Sequence, residues 1–144
     1  MAGSYVKVND KNRNNASFDM AFHLVLVCKY RNQVFDDDML DRCREIMRST
    51  LLRWRCELLE FGGESDHVHL VFRAHPALNP SGLVNNLKTV SSRLLRKEFS
   101  ERVANFYWKP VFWSSAYYLG TVGSNDLETV RKYVSSQNHQ NLLT

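Results

Sequence analysis

His67-Val68-His69 sits inside an apolar run, and Tyr133 precedes Gln137 by four residues in the C-terminal stretch. Alternate residues of a strand point to one face, so both imidazoles can aim at a single point. Residues four apart on a helix are surface neighbours, so the Tyr133 phenol and the Gln137 amide share a face as well. Together these four side chains supply metal ligands and an oxygen nucleophile. That is the equipment for metal-assisted phosphoryl transfer through a covalent tyrosine intermediate. Two neutral imidazoles on one face make a chelating pair but still need a third ligand. Glu64 and Asp66 lie just before the pair and would serve equally as hairpin residues. Each motif also has a plainer reading: hydrogen-bonded structural histidines for the pair, and an amphipathic packing residue for Tyr133, which borders the Leu127, Val130 and Val134 stripe.

Positioning these residues requires a particular set of elements. Residues 1–16 are polar and Asn-rich and read as a flexible leader. Phe18 to Tyr30 reads as a strand that is apolar on both faces, as a buried central strand should be. Asp36, Asp37 and Asp38 suit a helix start, and Met39, Leu40, Cys43, Ile46, Met47, Leu51 and Trp54 recur at helical spacing. Cys56 to Phe61 and His67 to Arg73 read as a hairpin turned at Gly62-Gly63. Asn79 and Pro80 open a second helix with Leu83, Val84, Leu87, Val90, Leu94 and Leu95 inward and Lys88, Ser92, Arg93, Arg96 and Lys97 outward. An aromatic connector, Phe106 to Trp113, leads to a strand over Ala116 to Val122. Asn125 and Glu128 then begin a last helix reaching about His139. The expected class is α+β: a ferredoxin-like β-α-β-β-α-β unit with a four-stranded antiparallel sheet, plus a C-terminal helix carrying the tyrosine.

With 144 residues, 44% of them hydrophobic and 24% charged, the chain suits a single globular domain. The apolar stretch Phe22 to Cys28 is too short to span a bilayer. The N-terminus lacks the charged and apolar regions of a secretory signal. Three cysteines without a Cys-x-x-Cys motif suggest reduced, buried thiols, so a cytoplasmic protein is expected. A net charge of +4 is compatible with a polyanionic partner. Trp108, Trp113, Tyr117 and Tyr118 can stack on unpaired bases, but as a group they read better as core and sheet side chains.

Five segments, taken in order, resemble the single-tyrosine HUH transposases of bacterial and archaeal insertion sequences (the IS-two-hundred/IS-six-oh-five group). They are His23 to Arg31 (HLVLVCKYR), Asp66 to Phe72 (DHVHLVF), Asn86 to Leu94 (NLKTVSSRL), Phe112 to Gly123 (FWSSAYYLGTVG) and Val130 to Gln137 (VRKYVSSQ). The resemblance implies one transposase domain over residues 17–144. It implies cleavage and rejoining of single-stranded DNA at element ends, with a subterminal hairpin as partner. By the same resemblance Tyr133 is the nucleophile forming a 5′-phosphotyrosine, and His67, His69 and Gln137 are the metal ligands. Homodimers with active sites shared between subunits are implied too. Repeat-associated relatives carry an Asn-Pro pair after the tyrosine, whereas this chain has Ser135-Ser136-Gln137, which favours the insertion-sequence branch. Two histidines and an amide suit Mg²⁺ or Mn²⁺ better than a stable Zn²⁺ site. Lys29, Arg31, Lys88 and Arg93 are candidate DNA contacts on charge and placement. The alternatives are a non-catalytic single-strand-binding module and a nicking enzyme of the replication-initiator or relaxase type.

Overall fold

The computed structural model describes residues 20–122. The leader over 1–16 and the helix expected to carry Tyr133 and Gln137 lie outside the described residues. In chain order the elements are β1 (Met20–Cys28), α1 (Asp37–Arg53), β2 (Glu57–Glu64), β3 (His67–Ala74), α2 (Pro80–Glu98), α3 (Ser100–Ala104) and β4 (Trp113–Thr121). The strands form one sheet in the order β2-β3-β1-β4, with every neighbouring pair antiparallel. The α+β class and the four-stranded antiparallel sheet are as expected.

The two faces of the sheet differ. Leu24 and Leu26 of β1 and Val68, Leu70 and Phe72 of β3 are buried in the main core with Met39, Met47, Leu51, Leu83, Leu87 and Leu95 of the helices. The alternate residues therefore face away from the helices. On that side Val25 and Val27 are also buried, and Tyr118 packs against them. This is why β1 reads as apolar throughout: it is central, and both its faces are covered.

The helices begin where the sequence says they should. Asp36 caps α1, its Oδ1 accepting the Met39 amide at 2.9 Å, and Asp37 and Asp38 fill the first turn. Asn79 caps α2 by accepting the Gly82 amide at 3.2 Å, with Pro80 opening the helix. Ser91, on the buried stripe of α2, donates to the Leu87 carbonyl at 2.6 Å and accepts the Trp113 indole at 2.9 Å. That pairing lets a hydroxyl sit in the core without an unmet hydrogen bond. Cys28, Cys43 and Cys56 are buried and form no disulfide among the described residues. Among the described residues no helix is long and apolar enough to cross a membrane.

Three expectations need correcting. Gly62 and Gly63 are not a turn: β2 runs through them to Glu64, and Ser65-Asp66 turns the chain. No glycine among the described residues has a positive φ, so these two serve by lacking a side chain rather than by bending the chain. β1 ends at Cys28, after which Lys29–Arg31 turn the chain, with Tyr30 (φ 62°) and Arg31 (φ 53°) in the left-handed region. β4 begins at Trp113 rather than Ala116, and the short helix α3 precedes the aromatic connector.

A Cβ on Gly63 would lie 2.7 Å from the His67 carbonyl oxygen and 2.9 Å from Leu40 Cδ2. The first neighbour is backbone and cannot swing aside. Glycine-to-alanine changes in strands ordinarily stabilise slightly, because the unfolded chain loses entropy. Gly63→Ala is expected to do the reverse and lower stability by about 1–3 kcal/mol through overpacking. Urea denaturation checks this; an unchanged or raised midpoint would contradict it.

Candidate functional site

His67 and His69 project from β3 on the face turned away from the helices, opposite Val27 and Val25 of β1 and Glu64 and Gly62 of β2. The sequence pattern placed them here correctly, because Val68, Leu70 and Phe72 must face the core. His67 is buried at 6% exposure. Its Nδ1 lies 2.8 Å from Asp66 Oδ1, and the other carboxylate oxygen of Asp66 accepts a hydrogen bond from Arg31 Nη2. With an ionised carboxylate as acceptor, Nδ1 carries the imidazole proton and Nε2 keeps its lone pair for a ligand. The Asp66 backbone takes part too, its carbonyl accepting the Cys28 amide at 2.9 Å.

His69 is held by an absence. A Cβ on Gly62 would lie 2.7 Å from His69 Nε2 and 3.1 Å from its Cε1, so the ring occupies the space that a side chain on β2 would fill. Burial holds the His69 pKa below its ordinary value of 6.5, and the nearby His67 pushes the same way; Glu60 and Glu64 oppose this and His23 adds to it. The neutral ring, the form that ligates metals, therefore persists to lower pH than in a free histidine.

Ligand atoms of Glu64, Asp66 and His67 lie within 4.8 Å of one another, so acidic oxygens flank the histidine pair. The two carboxylates have different work. Asp66 is engaged by Arg31 and His67 and orients the imidazole. Glu64 is exposed and stands directly across from His67, where it adds negative charge beside the pair. The donor set therefore fits a divalent cation.

The four candidate DNA contacts differ in their surroundings. Arg31 turns inward, its side chain 10% exposed, and clasps Asp66. Lys29 lies over the Tyr30 ring at 5.2 Å from the centroid. Lys88 donates to the Ser114 carbonyl at 2.9 Å, and burial together with Lys29 lowers its pKa. Arg93 lines a groove between α1 and α2. Tyr133 and Gln137 lie outside the described residues. The orienting parts, Arg31, Asp66 and Gly62, were not read as such from sequence. Asp66 was legible as a neighbour of the pair, but nothing in spacing reveals an arginine 35 positions away.

The fold places His67 and His69 together on the face of an antiparallel sheet that is turned away from its helices, with Glu64 and Asp66 beside them. The profile of the family described as "Transposase IS200 like" matches residues 16–137, and the chain belongs to that family of DNA transposases. It is 28% identical over 120 residues to the ISDra2 transposase TnpA of Deinococcus radiodurans, spanning 83% of this chain and 85% of that protein. It is also 28% identical over 130 residues to the transposase for insertion sequence element IS200 of Salmonella typhimurium, spanning 90% and 84%. A crystal structure from Deinococcus radiodurans described as a transposase superposes with a TM-score of 0.75 at 27% identity, covering 83% of this chain and 91% of that one. A REP-associated tyrosine transposase bound to a REP hairpin gives a TM-score of 0.51 at 7% identity, over 76% and 61%, a likeness of fold alone.

Two outcomes follow from the geometry around His69. Its ring is expected to titrate below 6.5 in proton NMR. Because the folded state then binds that proton less readily than the unfolded chain, the stability tied to neutral His69 is present above that pH and is lost as pH falls below it. A His69 titration at or above the ordinary value would contradict this. Gly62→Ala is expected to shift the His69 ring resonances while changing the unfolding midpoint less than Gly63→Ala, since an imidazole can swing and a backbone carbonyl cannot. Unmoved His69 resonances would contradict the packing argument.

Proposed function

We propose that this transposase cleaves and rejoins single-stranded DNA at insertion-sequence ends by attack of Tyr133, forming a 5′-phosphotyrosine. The observation that carries the reading is the orientation of His67: Arg31 holds Asp66, Asp66 holds Nδ1–H, and Nε2 keeps its lone pair on a face shared with His69. A carboxylate that fixes the Nδ1–H tautomer and leaves Nε2 with its lone pair is the arrangement used to orient metal-ligating histidines. The family match and the position of Tyr133 four residues before Gln137 add the nucleophile and a third ligand.

His67, His69 and Gln137 would hold Mg²⁺ or Mn²⁺, with Glu64 close by to add charge. When bound, such an ion supplies charge neutralisation and orientation at the scissile phosphate. The rest falls to the chain's own residues. A phenol titrates near 10 in water, so Tyr133 must be placed in line and give up its proton as it attacks. The new bond joins the phenolic oxygen to phosphorus. The bond to the 3′ oxygen breaks, and that oxygen leaves with the electron pair and takes up a proton. The product is still a diester, so a later 3′-hydroxyl can reverse the step and reseal DNA without ATP.

The proposed substrate is a single strand bearing a hairpin near the element end, the kind of ligand present in the hairpin-bound relative. The proposed assembly is a homodimer in which the Tyr133 helix of one subunit serves the histidine pair of its partner. Docking of that helix would deliver nucleophile and third ligand together, because both ride on it. A non-catalytic strand-binding module would need none of the four residues.

Tyr133→Phe removes the attacking oxygen and keeps the ring, so it is expected to abolish covalent attachment while leaving hairpin binding near normal. A denaturing gel with an end-labelled hairpin oligonucleotide reads this; an undiminished adduct sinks the assignment. Sharing is tested by mixing: Tyr133→Phe and His67→Ala subunits, each inactive alone, are expected to regain partial cleavage as heterodimers. Inactive heterodimers, with cleavage by a wild-type subunit paired with the double variant, would place each site within one chain.

A further inference from the structure

Trp108 is 89% exposed and Tyr30 is 64% exposed, the two most exposed large hydrophobic side chains among the described residues. They belong to segments that are bonded together. Tyr107 Oη donates to the Lys29 carbonyl at 2.7 Å, and the Lys29 amide donates to the Phe112 carbonyl at 2.8 Å. Tyr107 is thereby buried, and Trp108, the next residue, is turned outward. Each exposed ring carries a cation: Lys29 Nζ lies 5.2 Å from the Tyr30 centroid and Lys109 Nζ 5.5 Å from the Trp108 centroid. An exposed indole gains little from water, so two such rings with their lysines are an unfilled recognition surface.

Backbone strain holds one of them in place. Tyr30 and Arg31 have φ of 62° and 53°, a left-handed pair without glycine. The corner turns Arg31 inward onto Asp66 and leaves Tyr30 pointing out, next to the residue that orients His67. Beside this corner, Lys88, Thr89, Ser92 and Arg96 of α2 and residues 110–113 line a groove of about 320 Å³ with no acidic side chain among its lining residues. Phe112, which lines the groove, accepts the Lys29 amide through its carbonyl, which ties the groove to the corner.

We propose that Tyr30 and Trp108 form a stacking platform for unpaired bases of single-stranded DNA, and that the groove of Lys88, Thr89, Ser92 and Arg96 takes phosphates of the same strand. Stacking on an aromatic face tolerates any base, and the lysines beside each ring meet the backbone charge. A duplex offers neither unpaired faces nor a single backbone to this surface. The platform rests on the reading of this protein as a single-strand transposase and names where, beside the histidine pair, the strand is held.

The test is fluorescence anisotropy in EDTA, so that binding is read without cleavage, using a hairpin oligonucleotide with a single-stranded extension. Trp108→Ala and Tyr30→Asn are compared with wild type; asparagine tolerates the left-handed backbone, so the corner keeps its shape. Each variant is expected to bind about fivefold or more weakly, with a larger loss in the double variant. Replacing the extension by abasic residues is expected to weaken wild-type binding to the level of the double variant. Arg96→Gln is expected to weaken binding of all sequences alike and to flatten its salt dependence. If wild type binds the strand and both aromatic variants bind it equally well, the platform is wrong while the transposase reading stands. Equal affinity for the abasic extension or for a full duplex overturns it too. If wild type binds no single-stranded DNA, both fall.

Discussion

The Asp66 side chain and backbone bind three partners from three parts of the chain. Its carbonyl takes the amide of Cys28 at the end of β1, one carboxylate oxygen faces His67 Nδ1, and the other accepts Arg31. Its side chain is only 12% exposed, so the carboxylate has little water to fall back on. A buried charge that loses a partner is costly, so the Arg31 and His67 bonds to the carboxylate support each other, while the Cys28 bond pins the Asp66 backbone beside them. The β2–β3 turn, the strained corner after β1 and the orientation of the first histidine are thus one arrangement. Moving Arg31 or His67 would leave one of the two carboxylate oxygens without its partner.

This explains how much of the molecule could be read from its residues. The elements were legible because periodicity and capping are local: Asp36 and Asn79 cap the helices they were expected to cap, and the alternation Val68, Leu70, Phe72 put His67 and His69 on the opposite face. The parts that misled are those whose meaning lies across the sheet. Gly62 and Gly63 look like a turn in one dimension; in three they make room for an imidazole and for the His67 carbonyl. Arg31 looks like a surface cation because nothing local announces its carboxylate partner, and Trp108 looks like core because tryptophan usually is. Neither assignment could be reached by spacing, since both depend on which way a strained corner and a short connector point.

The sheet divides the labour. Its helix-covered face gives rigidity, with Phe72, Leu70 and Met47 fully enclosed. The face turned away from the helices is where the chemistry is proposed, so the proposed ligands stand on a strand that the core holds still. In the proposed mechanism the ligands of β3 are preorganised by the core, and Tyr133 and Gln137 would be brought to them. Folds of this class host many functions, and what separates this one from a plain binding sheet is the oriented lone pair of His67 rather than the architecture.

The central claim is that the Asp66-oriented histidine pair is a divalent-cation site. Titration of Mn²⁺ into the protein, followed by electron paramagnetic resonance of the free ion, measures this without DNA or turnover. The account predicts one site per chain that is lost in His67→Ala and in His69→Ala and weakened about tenfold or more in Asp66→Asn, which keeps the shape but loses the charge that fixes the imidazole. Mn²⁺ affinity unchanged in all three variants would contradict it, and would return both histidines to a structural role.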